Sequence, residues 1–455
     1  MTADVAVIGG GLAGLSAAVR LADAGKRVIV VEAAPRLGGR ASTFVAPVTG
    51  ERVDNGQHVL FGCYRETYGF LKQIGTDGLA PLDRALKLTI VGPDGRPHIL
   101  SCPPLPAPWH LLAGVLNWNA IPLKDRLRAL RLAPVLMRRG PWSVRESDLR
   151  PLMTVDQWLR AHGQSDELCR WLWHPLAIAA LNQPAEVAGA EAFVQVLREL
   201  FGPRAADSAV GLPVVPLDEL FATPAAAFIE ARGGRVLTKS LGRIRLDASG
   251  RIAGVLAGSV PITASVVVCA VPWHQLDGVW QDGCPAPLAP LCAKAAHMRA
   301  SPIVTANLWF DGPVMRERFV GLVGGTMHWA FDKSAIVGGR AAHVSVVSSG
   351  ANELTDMDNE AVTALAIRDL RRALPAVSDR RLVRSVIVRE YRATFSLAPG
   401  EPERPSTVTP VQGFFLAGDW VRTGLPATIE GAVRSGHAAA DAILFHPSRQ
   451  VTLVD

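Results

Sequence analysis

The sequence predicts an α/β fold in which a parallel sheet, assembled from discontinuous segments, is joined to an α+β lobe. Three observations carry this. The N-terminus runs strand, glycine turn, helix, strand, acid; the C-terminus carries an apolar strand followed by a small-residue helix; and strand-like runs recur in the middle.

The first strand is read at Val5–Ile8, followed by Gly9, Gly11 and Gly14 in G-x-G-x-x-G spacing, with Leu12 and Ala13 opening a helix. The first glycine turns the chain out of the strand, the second lets bare backbone approach a pyrophosphate, and the third lets helix and strand pack closely. A pyrophosphate then meets a helix N-terminus, where the macrodipole favours negative charge. The second strand is Val28–Val31, and Glu32 and Ala33 close it. Glu32 lies near the roughly 20-residue offset at which an acid accepts from a ribose hydroxyl. An acid there, rather than Arg, argues against a 2′-phosphate.

Strand, turn, helix, strand and acid in order give a Rossmann-like dinucleotide unit, which serves NAD and FAD alike. The residues just after it point to FAD. Arg36, Gly38, Gly39 and Arg40 form Arg-Leu-Gly-Gly-Arg where an NAD domain would run into its next crossover. The glycine pair supplies bare backbone for a larger cofactor, and the arginines supply charge beside phosphates. Near the other end, the strand run 414–420 contains Gly418-Asp419, followed by 423–433 with Ala427, Thr428 and Ile429. Pro426 suits a first helical turn, and Gly431, Ser435 and Gly436 let that helix lie close to something flat. Its N-terminus, aimed at a flavin ring, would stabilise charge gained on reduction.

These segments, with Gly233-Gly-Arg-Val-Leu237 and the strand at 265–272, resemble the FAD-binding motifs of the amine oxidase, protoporphyrinogen oxidase and phytoene desaturase superfamily. The resemblance covers about half the chain. It implies an amine oxidase-like architecture, a backbone contact from Val236 to the adenine end of FAD, and a return of Asn55, Gly56, Gln57 and His58 toward the flavin ring. Asp54 to His58, 173–182, Arg392-Ala-Thr-Phe-Ser396 and 417–430 are similar to the squalene-associated branch. That likeness implies a hydroxysqualene-like isoprenoid substrate, its hydroxyl replaced by hydride from reduced FAD to give squalene for hopanoid synthesis. An unidentified reductant must then recharge the flavin. A carotenoid-type desaturase runs the same machinery with opposite electron flow, and a non-catalytic isoprenoid carrier keeps the fold alone.

The chain of 455 residues, 49% hydrophobic and 19% charged, has core enough for two or three lobes. Flavin-type signals at 1–75, 205–290 and 405–446 mark the FAD-binding domain, which leaves 76–204 and 291–404 for a substrate domain. The latter segment carries alternating strands at 303–310 and 343–347 and a helix at about 359–374, ended near Pro375. Six cysteines without C-x-x-C spacing read as reduced thiols, and eleven histidines show no metal-ligand spacing, so no metal is expected. A net charge of +6 lacks the aromatic interleaving of a nucleic-acid surface. No signal peptide or bilayer-length apolar run is read, so the expectation is a cytoplasmic protein.

Basic residues concentrate instead at 109–145, from Lys124, Arg126, Arg128 and Arg131 to Arg138, Arg139 and Arg145, with Leu123, Leu127 and Leu130 at helical spacing among them. Such a stretch suits peripheral contact with the inner face of the cytoplasmic membrane. It suits equally a surface helix packing its leucines on its own domain. Loss of an allylic hydroxyl needs a proton donor. His58 and His174 are the candidates, and for each a histidine satisfied by backbone in a packed interior is an equal reading.

Overall fold

The computed structural model describes residues 1–46, 50–137, 152–339 and 342–445. Five short strands make a wholly parallel sheet in the order Phe414–Leu416, Val267–Cys269, Val5–Ile8, Val28–Val31, Arg235–Leu237. The three central strands are buried on both faces, as parallel strands covered by other layers must be, while Arg235–Leu237 forms a more exposed edge. The helix Leu12–Asp23 follows the glycine turn and packs against the C-terminal helix Ile429–Phe445. A Cβ on Gly436 would lie 2.2 Å from the Ala13 carbonyl oxygen. Gly436, one of the small residues expected to face something flat, therefore serves a helix–helix contact. Pro426 also falls outside that helix, because Thr428 caps it by accepting from the Gly431 N–H at 3.0 Å.

A second sheet has seven strands, in the order Leu382–Phe395, Ala300–Phe310, Ala342–Ser349, Trp329–Asp332, Phe319–Leu322, Lys87–Val91, Pro97–Ser101. All its neighbours are antiparallel except Phe319–Leu322 with Lys87–Val91. The helix Asn359–Ala373, capped by Asp358 accepting from the Ala361 N–H, buries Val362, Ala366 and Leu370 against Val304, Ala306 and Leu308. The helices within 109–137 and 155–200 close around Trp118, Trp158, Trp173 and Phe193.

Two histidines of this sheet region are held neutral. Burial pushes His328 down to about 4 and His343 down to about 3, the latter aided by the Lys333 charge. His328 Nδ1 accepts from the Ser349 N–H, and His343 stacks on Trp309. The unfolded chain binds protons below about pH 6.5 that the folded chain refuses, so stability is complete above that value and falls as pH drops toward 4. Unfolding free energies from denaturant titrations should decline across this window by up to about 1.4 kcal/mol per pH unit for each histidine. Free energies independent of pH there would contradict the assignment.

Candidate functional site

The C-terminal ends of the parallel strands open into one continuous cavity of about 1370 Å³ that extends to the seven-stranded sheet and the helical layer. Its floor is the glycine turn. Gly9 sits at φ +108°, and a Cβ there would meet the Ala270 carbonyl oxygen at 2.6 Å. Gly38 donates its N–H to the Gly10 carbonyl at 2.8 Å, which brings Gly39 over Gly11; a Cβ on Gly39 would lie 3.2 Å from the Gly11 Cα. Two bare stretches of backbone thus form a cradle, with Leu12 and Ala13 at its rim.

Glu32 accepts from the N–H groups of Gly10 and Ala34, each at 2.7 Å through a different oxygen, while it and Ala33 line the cavity. Each carboxylate oxygen keeps a lone pair for a hydroxyl. Arg40 donates to Asp419 Oδ1 at 2.5 Å and to the Ala393 carbonyl at 2.9 Å. Burial alone would lower the Arg40 pKa, but the Asp419 carboxylate outweighs it and raises the value. Asn55 donates to the Arg40 carbonyl and accepts from the Ser42 N–H, stitching one lining segment to another. Gly56, Gln57 and His58 also line the cavity, as do Gly418, Asp419, Ala427, Thr428 and Ile429.

Buried Lys333 holds that wall from behind, donating to Asp54 Oδ2 at 3.0 Å and Gln57 Oε1 at 2.7 Å. The His58 pKa is lowered, first by burial and then by the Lys333 and Arg40 charges, against the opposing pull of Asp54 and of a hydrogen bond to the Arg40 backbone. Beyond His58 the lining becomes apolar, with Ile90, Leu100, Leu111, Trp171, Leu176 and Phe331 among its walls.

Four residues singled out in the sequence do not line the cavity. Gly14 packs its helix on the strand, since a Cβ there would lie 1.9 Å from the Gly9 carbonyl oxygen. Arg36 is exposed over the Phe44 ring, and Val236 sits in the edge strand opposite Val30. His174 turns away to Asp156, 3.2 Å from its Nε2, and to Glu186. Cys169 lies in the same group, but Asp156 is also paired with Arg160 at 2.8 Å, an ion-pair arrangement. Arg243, His274 and Arg392 line the cavity without having been anticipated; Arg392 lay inside a quoted motif, whereas Lys333 carried no local signal.

The helices Trp109–Asn117 and Leu123–Ala129 present opposite faces to two surroundings. Leu111 and Val115 line the cavity, whereas Trp109, Leu123, Leu127 and Leu130 are exposed at 61%, 60%, 50% and 38%. Among the described residues the three leucines are thus only partly covered. Arg138, Arg139 and Arg145 lie outside the described residues. No described helix is long and apolar enough to cross a membrane.

A glycine cradle with an acid, an Arg–Asp pair and a helix start around one elongated cleft defines a flavoprotein oxidoreductase. The chain belongs to the flavin containing amine oxidoreductase family, whose sequence profile matches residues 12–444. It is 31% identical to a hydroxysqualene dehydroxylase of Sinorhizobium fredii, over 98% of this chain and 99% of that one. It is 24% identical to a zeta-carotene desaturase of Synechocystis, over 99% of both. A solved oxidoreductase from Methanosarcina mazei shares the fold, with TM-score 0.74 and 17% identity over 97% of this chain and 100% of that one.

Proposed function

We propose that this chain is an FAD-dependent enzyme that reductively dehydroxylates a hydroxysqualene-like isoprenoid to squalene, within hopanoid synthesis. The observation supporting it is the continuity of a dinucleotide cradle with an apolar tunnel. The cradle's donor set fits FAD: bare Gly11 and Gly39 backbone for the pyrophosphate, Glu32 for ribose hydroxyls, and the Ala427 to Ile429 helix start for the electron-rich ring edge. In this reading segments 1–75, 205–290 and 405–446 hold the cofactor, while 76–204 and 291–404 hold the substrate. When bound, FAD supplies the redox chemistry.

The chain's own residues do the rest. A squalene-like chain offers no charged handle, so the tunnel walls bind it by removing hydrocarbon from water, at ~25 cal/mol per Å². The same walls keep bulk water from the carbon that loses its hydroxyl. His58 faces the cavity and donates the proton that lets the hydroxyl leave as water. Because its pKa is lowered, the imidazolium is a minority species at neutral pH but a stronger acid. Turnover should therefore rise as pH falls from about 8 toward 6. His58→Ala should keep FAD, lose that slope and slow by at least ~100-fold. A variant with normal rate and normal profile would exclude His58.

The exposed Trp109 to Leu130 face and its neighbouring lysine and arginines meet the headgroup region of an anionic membrane on the cytoplasmic side, where an apolar substrate partitions. The double variant Leu123→Ser, Leu127→Ser should lower co-sedimentation with anionic phospholipid vesicles by about tenfold, from lost leucine burial. Equal binding by both proteins would reject the contact.

A second reading, desaturation of a carotenoid-type isoprenoid, is favoured by the full-length likeness to zeta-carotene desaturases. Product analysis separates the two. Anaerobically reduced protein with hydroxysqualene should yield squalene and water. A desaturated product from phytoene with an oxidant, and none from hydroxysqualene, would reverse the assignment. A colourless protein that cannot be reconstituted with FAD would leave only a carrier.

A further inference from the structure

Of the six cysteines, five are buried and Cys284 alone is half-buried. Its Sγ lies 2.8 Å from that of Cys292, in the first turns of the helix Ala289–His297. No side chain intervenes between the two sulfurs. A disulfide needs about 2.05 Å. Two thiolates sharing a tetrahedral zinc at ~2.3 Å bonds would stand about 3.8 Å apart. The two sulfurs are close enough for a bond to form between them with little backbone movement. Asp277 completes the group, its carboxylate within 4.8 Å of both sulfurs.

The location gives the pair a consequence. The turns Trp273–Gln275 and Asp277–Val279 contribute His274, Gln275, Gly278 and Val279 to the cavity wall. Trp273, Leu276, Val279 and Cys292 belong to one apolar cluster, and Cys284 packs against it. Whatever fixes the two sulfurs also fixes the anchor of that wall.

We propose that Cys284 and Cys292 form a peroxide-sensitive dithiol whose disulfide braces the cavity wall at residues 273–279. The more accessible Cys284 reacts first. Its sulfur attacks one oxygen of hydrogen peroxide, the O–O bond breaks, and water leaves a sulfenic acid. The Cys292 sulfur then attacks Cys284, the S–S bond forms and the S–O bond breaks. The Cys292 proton passes by way of Asp277 to the departing hydroxide, giving a second water. Both sulfurs are oxidised by one electron each, and one peroxide is reduced to two waters. A small dithiol reverses the bond by exchange.

The test uses the purified flavin-loaded protein, treated with a few equivalents of hydrogen peroxide. Free thiols in denaturant should fall from six to four, and peptide mass spectrometry should find a Cys284–Cys292 cross-link that dithiothreitol removes. Amide exchange across 273–279 should slow by about tenfold, a modest share of what a short cross-linked loop contributes. Cys284→Ser, which lies outside the cavity lining, should keep its flavin and show neither change. Oxidation of Cys284 to a sulfinic acid without cross-link would overturn the proposal. So would a cross-link that leaves exchange unchanged, or stoichiometric zinc lost on Cys284→Ser.

Discussion

Gly14→Val should purify as a colourless protein. A Cβ at this position meets the Gly9 carbonyl oxygen at 1.9 Å and the Ala270 Cβ at 3.2 Å, and valine adds two methyl groups to the first contact. Gly9 cannot retreat. Its N–H is bonded to the Val31 carbonyl at 2.8 Å, and the adjoining Ala270 N–H is bonded to the Ile8 carbonyl at 2.7 Å, so the sheet locks it on both sides. The helix must move instead, taking Gly11, Leu12 and Ala13 out of the cradle. Visible flavin absorbance per mole of protein should drop to background and stay there after incubation with excess FAD. Gly69→Ala is the matched control. Nothing lies within 4 Å of its Cβ position in the helix Arg65–Ile74. That variant should stay yellow and gain about 0.5–1 kcal/mol from helix propensity. A yellow Gly14→Val protein would refute the role given to the close packing.

Lys333→Met should cost about 3–5 kcal/mol of unfolding free energy, since it leaves a buried carboxylate without its cation. Both partners of the Lys333–Asp54 pair are about nine-tenths buried. Asp54 also accepts from the Thr43 hydroxyl at 2.7 Å and from the Leu217 N–H at 3.1 Å. It therefore ties three chain segments together just behind Asn55 to His58. The double variant Lys333→Met, Asp54→Asn removes the orphan charge while keeping an acceptor for Thr43 and Leu217. It should recover most of the loss in denaturant unfolding. A double variant as unstable as the single one would show that the cost comes from packing and not from charge. The single variant should also hold flavin less tightly, because Gln57 loses its donor.

The cradle was legible because its geometry is dictated by residue type at short offsets. Only glycine serves at Gly9 and Gly38, whose φ angles are +108° and +98°, and an acid must follow the second strand for a ribose. Glu32, Arg40 and Asp419 do line one cavity, although the Arg40–Asp419 bond spans 379 residues. No local pattern states such a bond. Each partner was readable only because its own neighbourhood was. Lys333 had no such neighbourhood, and its partners lie more than 270 residues away.

His174 shows the opposite failure. Trp-His-Pro attracted attention, but a π-helical turn at Cys169–Trp173 inserts one residue into the helix. Trp173 and Pro175 consequently line the cavity while the histidine between them turns to Asp156. Periodicity of 3.6 cannot foresee that rotation. The exposed leucines at 123, 127 and 130 were seen as a stripe, but only tertiary packing decides whether a stripe is covered.

The strand order of the parallel sheet bears on how the polypeptide matures during translation. Val5–Ile8 is made well before one of its two flanking partners, Val267–Cys269, and before the next strand outward, Phe414–Leu416. Closing loops of that length is entropically slow and leaves early segments waiting unpaired. Coenzyme capture therefore has to wait until residues 414–419 have been made, and a nascent chain halted before them should hold no flavin.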